Sequence, residues 1–131
     1  MTKPIARKVG SCFAFPDILL TPTPSGDVPI PYPNIAQLSA ASGASENVNA
    51  GGEAVIIKPT TIDNSSGGEP GLSGGTVESG AHLGGCEFDQ ASETVKVNGE
   101  GVVRQLDTTK QNDGNATGMV MVGFPTVMVG D

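Results

Sequence analysis

Tryptophan is absent from these 131 residues, tyrosine occurs once and phenylalanine four times, so aromatics make up only 4% of the chain. A core of large interlocking rings is excluded. A deep helical bundle is excluded too, because no segment sustains a 3.6-residue apolar period. Basic residues are also few: seven Lys and Arg stand against 14 Asp and Glu, for a net charge of −7. That balance argues against nucleic-acid binding, which needs a basic face. No apolar run is long enough for a signal peptide or a membrane span, and the best stretch, residues 12–20, is broken by Pro16 and Asp17. Synthesis in the cytoplasm is the expectation. There, the chain's two cysteines are expected to stay reduced or to bind metal rather than form a structural disulfide.

What is plentiful is glycine, at 19 residues, and proline, at 10. Small and β-branched residues between glycine turns predict a mainly β fold of short strands. At this length residues 1–131 form one domain, without room for two independent cores. Lys3, Arg7 and Lys8 are three of the seven basic residues. They read as a flexible, solubilising basic tail over residues 1–11.

Proline recurs at every second position in GDVPIPYPNI, as Pro29, Pro31 and Pro33. Alternate residues of a strand send their N–H groups to the same edge, and proline has none to send. If extended, the segment keeps Ile30, Tyr32 and Asn34 as donors on one edge and is blocked along the other. The rival reading is a solvated polyproline II linker that recruits an aromatic-groove partner, which predicts a flexible 26–35.

The chain also repeats itself. NVNAGGEAVI (47–56) and TVKVNGEGVV (94–103) align at an offset of 47, matching Val48 with Val95, Gly52 with Gly99, Glu53 with Glu100 and Val55 with Val102. Each reads as a two-strand hairpin, with Gly51-Gly52 or Asn98-Gly99 at the turn. Residues 125–131 (PTVMVGD) echo the first strand a third time. Repeated units bury their apolar faces against one another, so internal pseudo-symmetry is expected. Between the hairpins, the glycine-rich block 64–85 reads as ordered coil, with Val77 and Leu83 needing burial. Residues 35–44 carry the sole candidate for a helical turn.

PDILLTPTPSGDVPIPYPNIA, GGEPGLSGGTVESG and TVKVNGEGVVRQLD, in that order, resemble the PAAR-like proteins of contractile injection machines, which include type VI secretion systems and phage-tail-like particles. The resemblance runs from about Phe15 to Asn112. It implies a small β-rich cone with pseudo-three-fold character, seated on the blunt end of a trimeric VgrG-type β-helical spike and sharpening it. One tip per trimer, possible cargo in the form of effector proteins, and transient contact with a target membrane are part of that implication. The family's Pro-Ala-Ala-Arg motif falls on Gly101-Val102-Val103-Arg104, where only the arginine is literal. Partner contacts are expected from Pro29 to Asn34 and from Val48, Val102, Val103, Arg104, Val127 and Val129. The hairpins 47–57 and 94–104 and strand 126–129 would each face one spike subunit, with Val55 joining the valines at or near the base, either in the core or against the partner.

Prototypical tips bind zinc through histidines and a cysteine, and here the sequence departs from the pattern. One histidine is present, and the stretch where relatives often carry more reads Lys110-Gln111-Asn112. Cys12, His82 and Cys86 make three candidate ligands for a zinc or iron ion, with Asp89 or a neighbouring subunit needed as the fourth. The alternative, favoured here, is no cofactor, with both cysteines acting as small buried hydrophobes. No nucleophile elbow or triad is legible, and Gly67-Gly68 and Gly74-Gly75 lack the lysine and hydroxyl of a phosphate loop. Glu46, Glu53, Glu69, Glu78, Glu87, Glu93 and Glu100 read as solvated surface. A structural, non-enzymatic protein without room for a fused toxin domain is the expectation. The competing class is a small metal- or ligand-binding β module.

Overall fold

The computed structural model describes residues 2–131. It is mainly β, with two long strands, twelve short ones and a single 3-10 turn among the described residues. β1 (Lys3–Ile5) precedes a long hairpin of β2 (Ser11–Thr23) and β3 (Gly26–Gln37). β4 (Ala41–Ser42), β5 (Asn49–Ala50), β6 (Glu53–Ala54), β7 (Thr61–Ile62) and β8 (Gly74–Gly75) follow. Then come β9 (Cys86–Phe88), β10 (Lys96–Val97), β11 (Glu100–Gly101), β12 (Thr108–Gln111), β13 (Ala116–Val120) and β14 (Phe124–Val129). One sheet runs in the order β3-β2-β13-β12-β9-β7-β4, with β8 added on β2. The helical turn expected within 35–44 is a single 3-10 turn, Leu38–Ala40, and residues 35–37 belong to β3.

Both expected hairpins form. β5 pairs β6 across Gly51-Gly52, and β10 pairs β11 across Asn98-Gly99. All four turn residues have positive φ, from 54° to 83°, as a type I′ connection demands. The third unit is assembled differently from the expectation. β14 does not stand alone: it pairs antiparallel with β1, Lys3 opposite Val129 and Pro4 opposite Met128. The first strand of this unit lies at one end of the chain and the second at the other.

Three-fold character is written in the backbone. Ala6 N–H donates to Val103 O (2.9 Å), Val103 N–H to Ile56 O (3.0 Å) and Ile56 N–H to Ala6 O (3.0 Å), closing a ring. A second set repeats it two residues on: Lys8 N–H to Ala54 O, Lys58 N–H to Gly101 O, and Gln105 N–H to Pro4 O. Residues 4–8, 54–58 and 101–105 are therefore equivalent segments around one pseudo-axis. Ala6, Ile56 and Val103 are each 0% exposed. Beside them Ile5, Val55 and Val102 pack with Ala50, Val129 and half-buried Val97, again three equivalent pairs. Ile5 and Ala6 are core, and Lys3 Nζ lies 2.6 Å from Asp107. The reading of residues 1–11 as a solubilising tail is thus corrected, because strand pairing with β14 and burial of Ile5 and Ala6 tie this segment down.

The proline stretch is a strand with one bonding edge. β3 pairs with β2 over its whole length and ends the sheet on its other side. Ile35, which shares the parity of Pro29, Pro31 and Pro33, exchanges both its backbone hydrogen bonds with Ser66 on that outer side (2.9 Å each). By alternation the prolines face the same way and offer no donor. The flexible-linker alternative does not fit this pairing. A bulge interrupts β2 between Ala14 and Asp17, and the Phe15-Pro16 peptide within it is cis.

Candidate functional site

The hairpin end of the molecule is the surface that repeats three times. Alignment of the three units makes Val48, Val95 and Val127 equivalent, and their exposures are 38%, 39% and 37%. Val48 O and Val95 O accept hydrogen bonds from Val55 and Val102, the same bond made twice. Three matched valines thus present apolar surface at equal depth around the axis.

Arginines cross-link the units. Arg7 donates to the carbonyls of Ala50 and Gly51 at the turn of the first hairpin (3.2 Å each), and its guanidinium lies 4.1 Å over the Phe124 ring. Arg104, its counterpart, donates to Gly130 O (3.0 Å) beyond β14 and makes a paired contact with both oxygens of buried Asp107 (2.9 Å each). Each arginine therefore holds the turn of the next unit. The third equivalent position is Ile57, and there Asn98 makes the link instead, bonding Ser45 (2.8 Å) and Asn47 (3.0 Å). Pro4-Ile5-Ala6-Arg7 occupies the place equivalent to 101–104 and carries proline, alanine and arginine at the positions of the Pro-Ala-Ala-Arg motif. That signal lies in the sequence itself, inside the segment whose basic residues suggest a tail.

The structure divides these residues between core and surface. Val102, Val103, Arg104 and Val129 lie in the core of the chain at 0–3% exposure. Asn34 is likewise 0% exposed. Val48, Val127, Pro29 and Pro31 are exposed, and Ile30, Tyr32 and Pro33 are half-buried. Val95 is the surface residue that the expectation omitted.

At the other end a buried polar network replaces symmetry. Asp17, 0% exposed, accepts from the side-chain amides of Asn115 (2.6 Å), Asn112 (3.1 and 3.2 Å) and Asn34 (3.5 Å). Gln111 donates to Asn34 Oδ1 (3.0 Å) and accepts from Thr109 (2.7 Å). The same amides reach into the glycine-rich block. Asn115 Oδ1 accepts from the backbone of Val77 and Glu78 (2.9 Å each), and Asn112 Oδ1 from Gly84 (2.8 Å). No buried side-chain nitrogen or oxygen lacks a partner among the described residues. Residues 64–85 are therefore ordered, but not for the expected reason: Val77 is 72% exposed and Leu83 half-buried. Polar bonds hold the block, together with close approach of Gly71, where any Cβ would strike Leu19.

Of the three candidate ligands, Cys12 and Cys86 are neighbours in the core, but His82 does not join them. His82 Nε2 lies 3.1 Å from the Glu69 carbonyl at the surface. Cys12 and Cys86 sit in the core, where hydrogen bonding to Cys86 and burial push the Cys12 thiol far above its ordinary pKa. Among the described residues no group of three His, Cys, Asp or Glu side chains converges on one point. At Gln111 and Asn112 the amides are committed to the Asp17 network, so the donors present do not suit zinc. The seven glutamates expected at the surface are all exposed. Glu69 has a lowered pKa because the Gly67 N–H bonds both its oxygens, with its own backbone N–H and His82 as smaller contributions.

Three hairpin units around a pseudo-axis, with a long hairpin and a glycine-rich coil built on one end, define a small β domain of repeated units. The chain belongs to the toxin PAAR-like domain family, whose model matches residues 10–118. Membership supports a spike-tip type of role in general terms. A search of the curated proteins found no match, and a search of the solved structures found none either.

Proposed function

We propose that the chain caps the blunt end of a trimeric β-helical spike of the VgrG type, one copy per trimer, in a contractile injection machine. The observation that carries this reading is the equal exposure of Val48, Val95 and Val127 at equivalent positions. One asymmetric chain matches a three-fold partner only by repeating its own contact three times, and here the repeat extends from backbone bonds to surface residues. The open strand ends of a β-helix recruit other strands unless covered. A cap must offer pairing on the base and none outward, and an outer edge bearing Pro29, Pro31 and Pro33 meets the second requirement. In this reading the protein is structural, not catalytic. It is made in the cytoplasm, carries effectors outward on contraction, and concentrates force on a target membrane.

The test is reconstitution with a trimeric VgrG-type spike protein and measurement of the complex mass. One tip per trimer is expected, and glutamate at Val48, Val95 or Val127 should weaken binding to a similar degree in each case. Three tips per trimer, or a folded tip with no affinity for any spike trimer, would overturn the reading.

A further inference from the structure

The internal repeat supplies its own control for the flanks of the molecule. Phe13 on β2 is equivalent to Lys110 on β12 and to Asp63 just after β7, as the pairings of Cys12, Thr109 and Ile62 show. Met119 on β13 corresponds to Glu87 and Ala40, and Met121 to Asp89 and Ser42. All nine positions are exposed. Two flanks are thus charged or small, with Lys110 and Asp89 lying 3.9 Å apart. The remaining flank is phenylalanine and methionine. Phe13 and Met119 face each other in register at 38% and 39% exposure, and Phe15, two residues further along β2, is 58% exposed. The fold does not need apolar side chains here, since the same backbone positions carry charge elsewhere in the chain.

We propose that this face of β2 and β13 docks one polypeptide segment with an apolar face and basic flanks. Occurrence on a single flank excludes a partner that shares the three-fold axis, so one segment binds per chain. Two aromatic anchors beside adaptable methionines suit an apolar side chain row. Charge selects among occupants. The chain carries −7, while β13 has no charged residue and the sole one in β2, Asp17, is buried. A second copy would bring −7 against −7, and an anionic bilayer would be repelled in the same way. A cationic segment is attracted.

The proposal deepens the tip reading and rests on it only for the base being occupied by something else. Failure of the two is distinguishable, because the variants below leave Val48, Val95 and Val127 intact. The experiment measures fluorescence anisotropy of a synthetic amphipathic peptide of leucine, phenylalanine and lysine, beside a scramble of the same composition. The full chain should bind the amphipathic peptide about tenfold or more tightly than the scramble, weakening with salt. Phe15→Glu and the milder Met119→Gln should each lose much of that preference, whereas Lys110→Ala on the equivalent charged flank should keep it. All variants alter exposed side chains, and unchanged melting temperatures would show that they fold. Equal binding of peptide and scramble, or no loss in Phe15→Glu, overturns the proposal. So does a dimer in light scattering that Phe15→Glu dissolves, which would make the occupant a second copy. Co-flotation with phosphatidylglycerol vesicles that requires Phe15 would make it a lipid surface.

Discussion

At the hairpin end, Ala6, Ile56 and Val103 are fully buried and three strands exchange backbone bonds in a ring. At the opposite end, a fully buried carboxyl, Asp17, is gripped by three side-chain amides. One end is held by apolar packing that tolerates similar shapes. The other is held by directional bonds that tolerate no missing partner. The contrast fits the division of labour proposed for them, since a symmetric base needs repetition and a glycine-rich apex has little apolar surface to bury. Small loop-rich domains commonly need a metal or disulfide staple. Here Asp17, Asn34, Gln111, Asn112 and Asn115 supply the cross-link.

The largest expected effect breaks the polar end. Asp17→Ala removes the acceptor of three buried amides, at about 1–3 kcal/mol for each group left unpaired. A loss of roughly 3–6 kcal/mol is expected in urea denaturation, a large share of the ~5–15 kcal/mol typical of a domain. Hydrogen exchange should locate it. In the isosteric Asp17→Asn, the amides of Val77, Glu78 and Gly84 should exchange faster while those of Ala6, Ile56 and Val103 stay protected. Uniform loss of protection at both ends would mean that the two are one cooperative unit.

Next in size is the apolar end. Ile56→Ala leaves a cavity on the pseudo-axis and should cost about 2–5 kcal/mol. The equivalent position already holds alanine at Ala6, which is itself 0% exposed. Filling it with Ala6→Val should therefore not mirror the Ile56 change. A charge at Val103, 0% exposed, should unfold the chain and so cannot report on a partner.

Legibility in the sequence followed the same divide. Hairpin turns announce themselves through Asn98-Gly99 and Gly51-Gly52, and the alternating valines mark the apolar faces, so the repeat was readable from residues alone. The proline period gave the blocked edge of β3 for the same reason: it is a local property. The third unit was harder, because its strands lie more than a hundred positions apart, although Pro4-Ile5-Ala6-Arg7 spelled out the arginine motif. Burial direction also escaped, since alternation cannot say whether Val102 or Val95 faces inward. The Asp17 network was invisible. Asn and Gln in loops look like solvated turn residues until folding brings 17, 34, 111, 112 and 115 together.

A smaller effect would sharpen the account of the base. Arg7→Ala removes two bonds to turn carbonyls and the contact with Phe124, at a surface where each is modest, so about 1–2 kcal/mol is expected. Arg7→Lys should recover only part, because a single ammonium cannot reproduce the planar fork that reaches the carbonyls while stacking on the ring. Thermal melting of the two variants checks this. Equal stability of Arg7→Lys and the parent chain would reduce the arginine to a mere positive charge.

The smallest expected effect is one of pH and belongs to the apolar core that joins the two ends. Cys12 is held protonated in the folded state, first by its hydrogen bond with Cys86 and then by burial. In the unfolded chain the thiol ionises near pH 8.5. The folded pKa lies above the unfolded one, so the contribution to stability is fully present below about pH 8.5. As pH rises further the unfolded state sheds its proton while the folded state keeps it, and stability falls by up to about 1.4 kcal/mol per pH unit for this group. Denaturation midpoints measured from pH 7 to pH 10 should therefore decline above the thiol range. In Cys12→Ala the decline should be shallower than in the parent chain, although the variant starts lower because it leaves a small void. An identical slope in both would show that Cys12 does not titrate differently on folding, and would leave the thiol pair as packing alone.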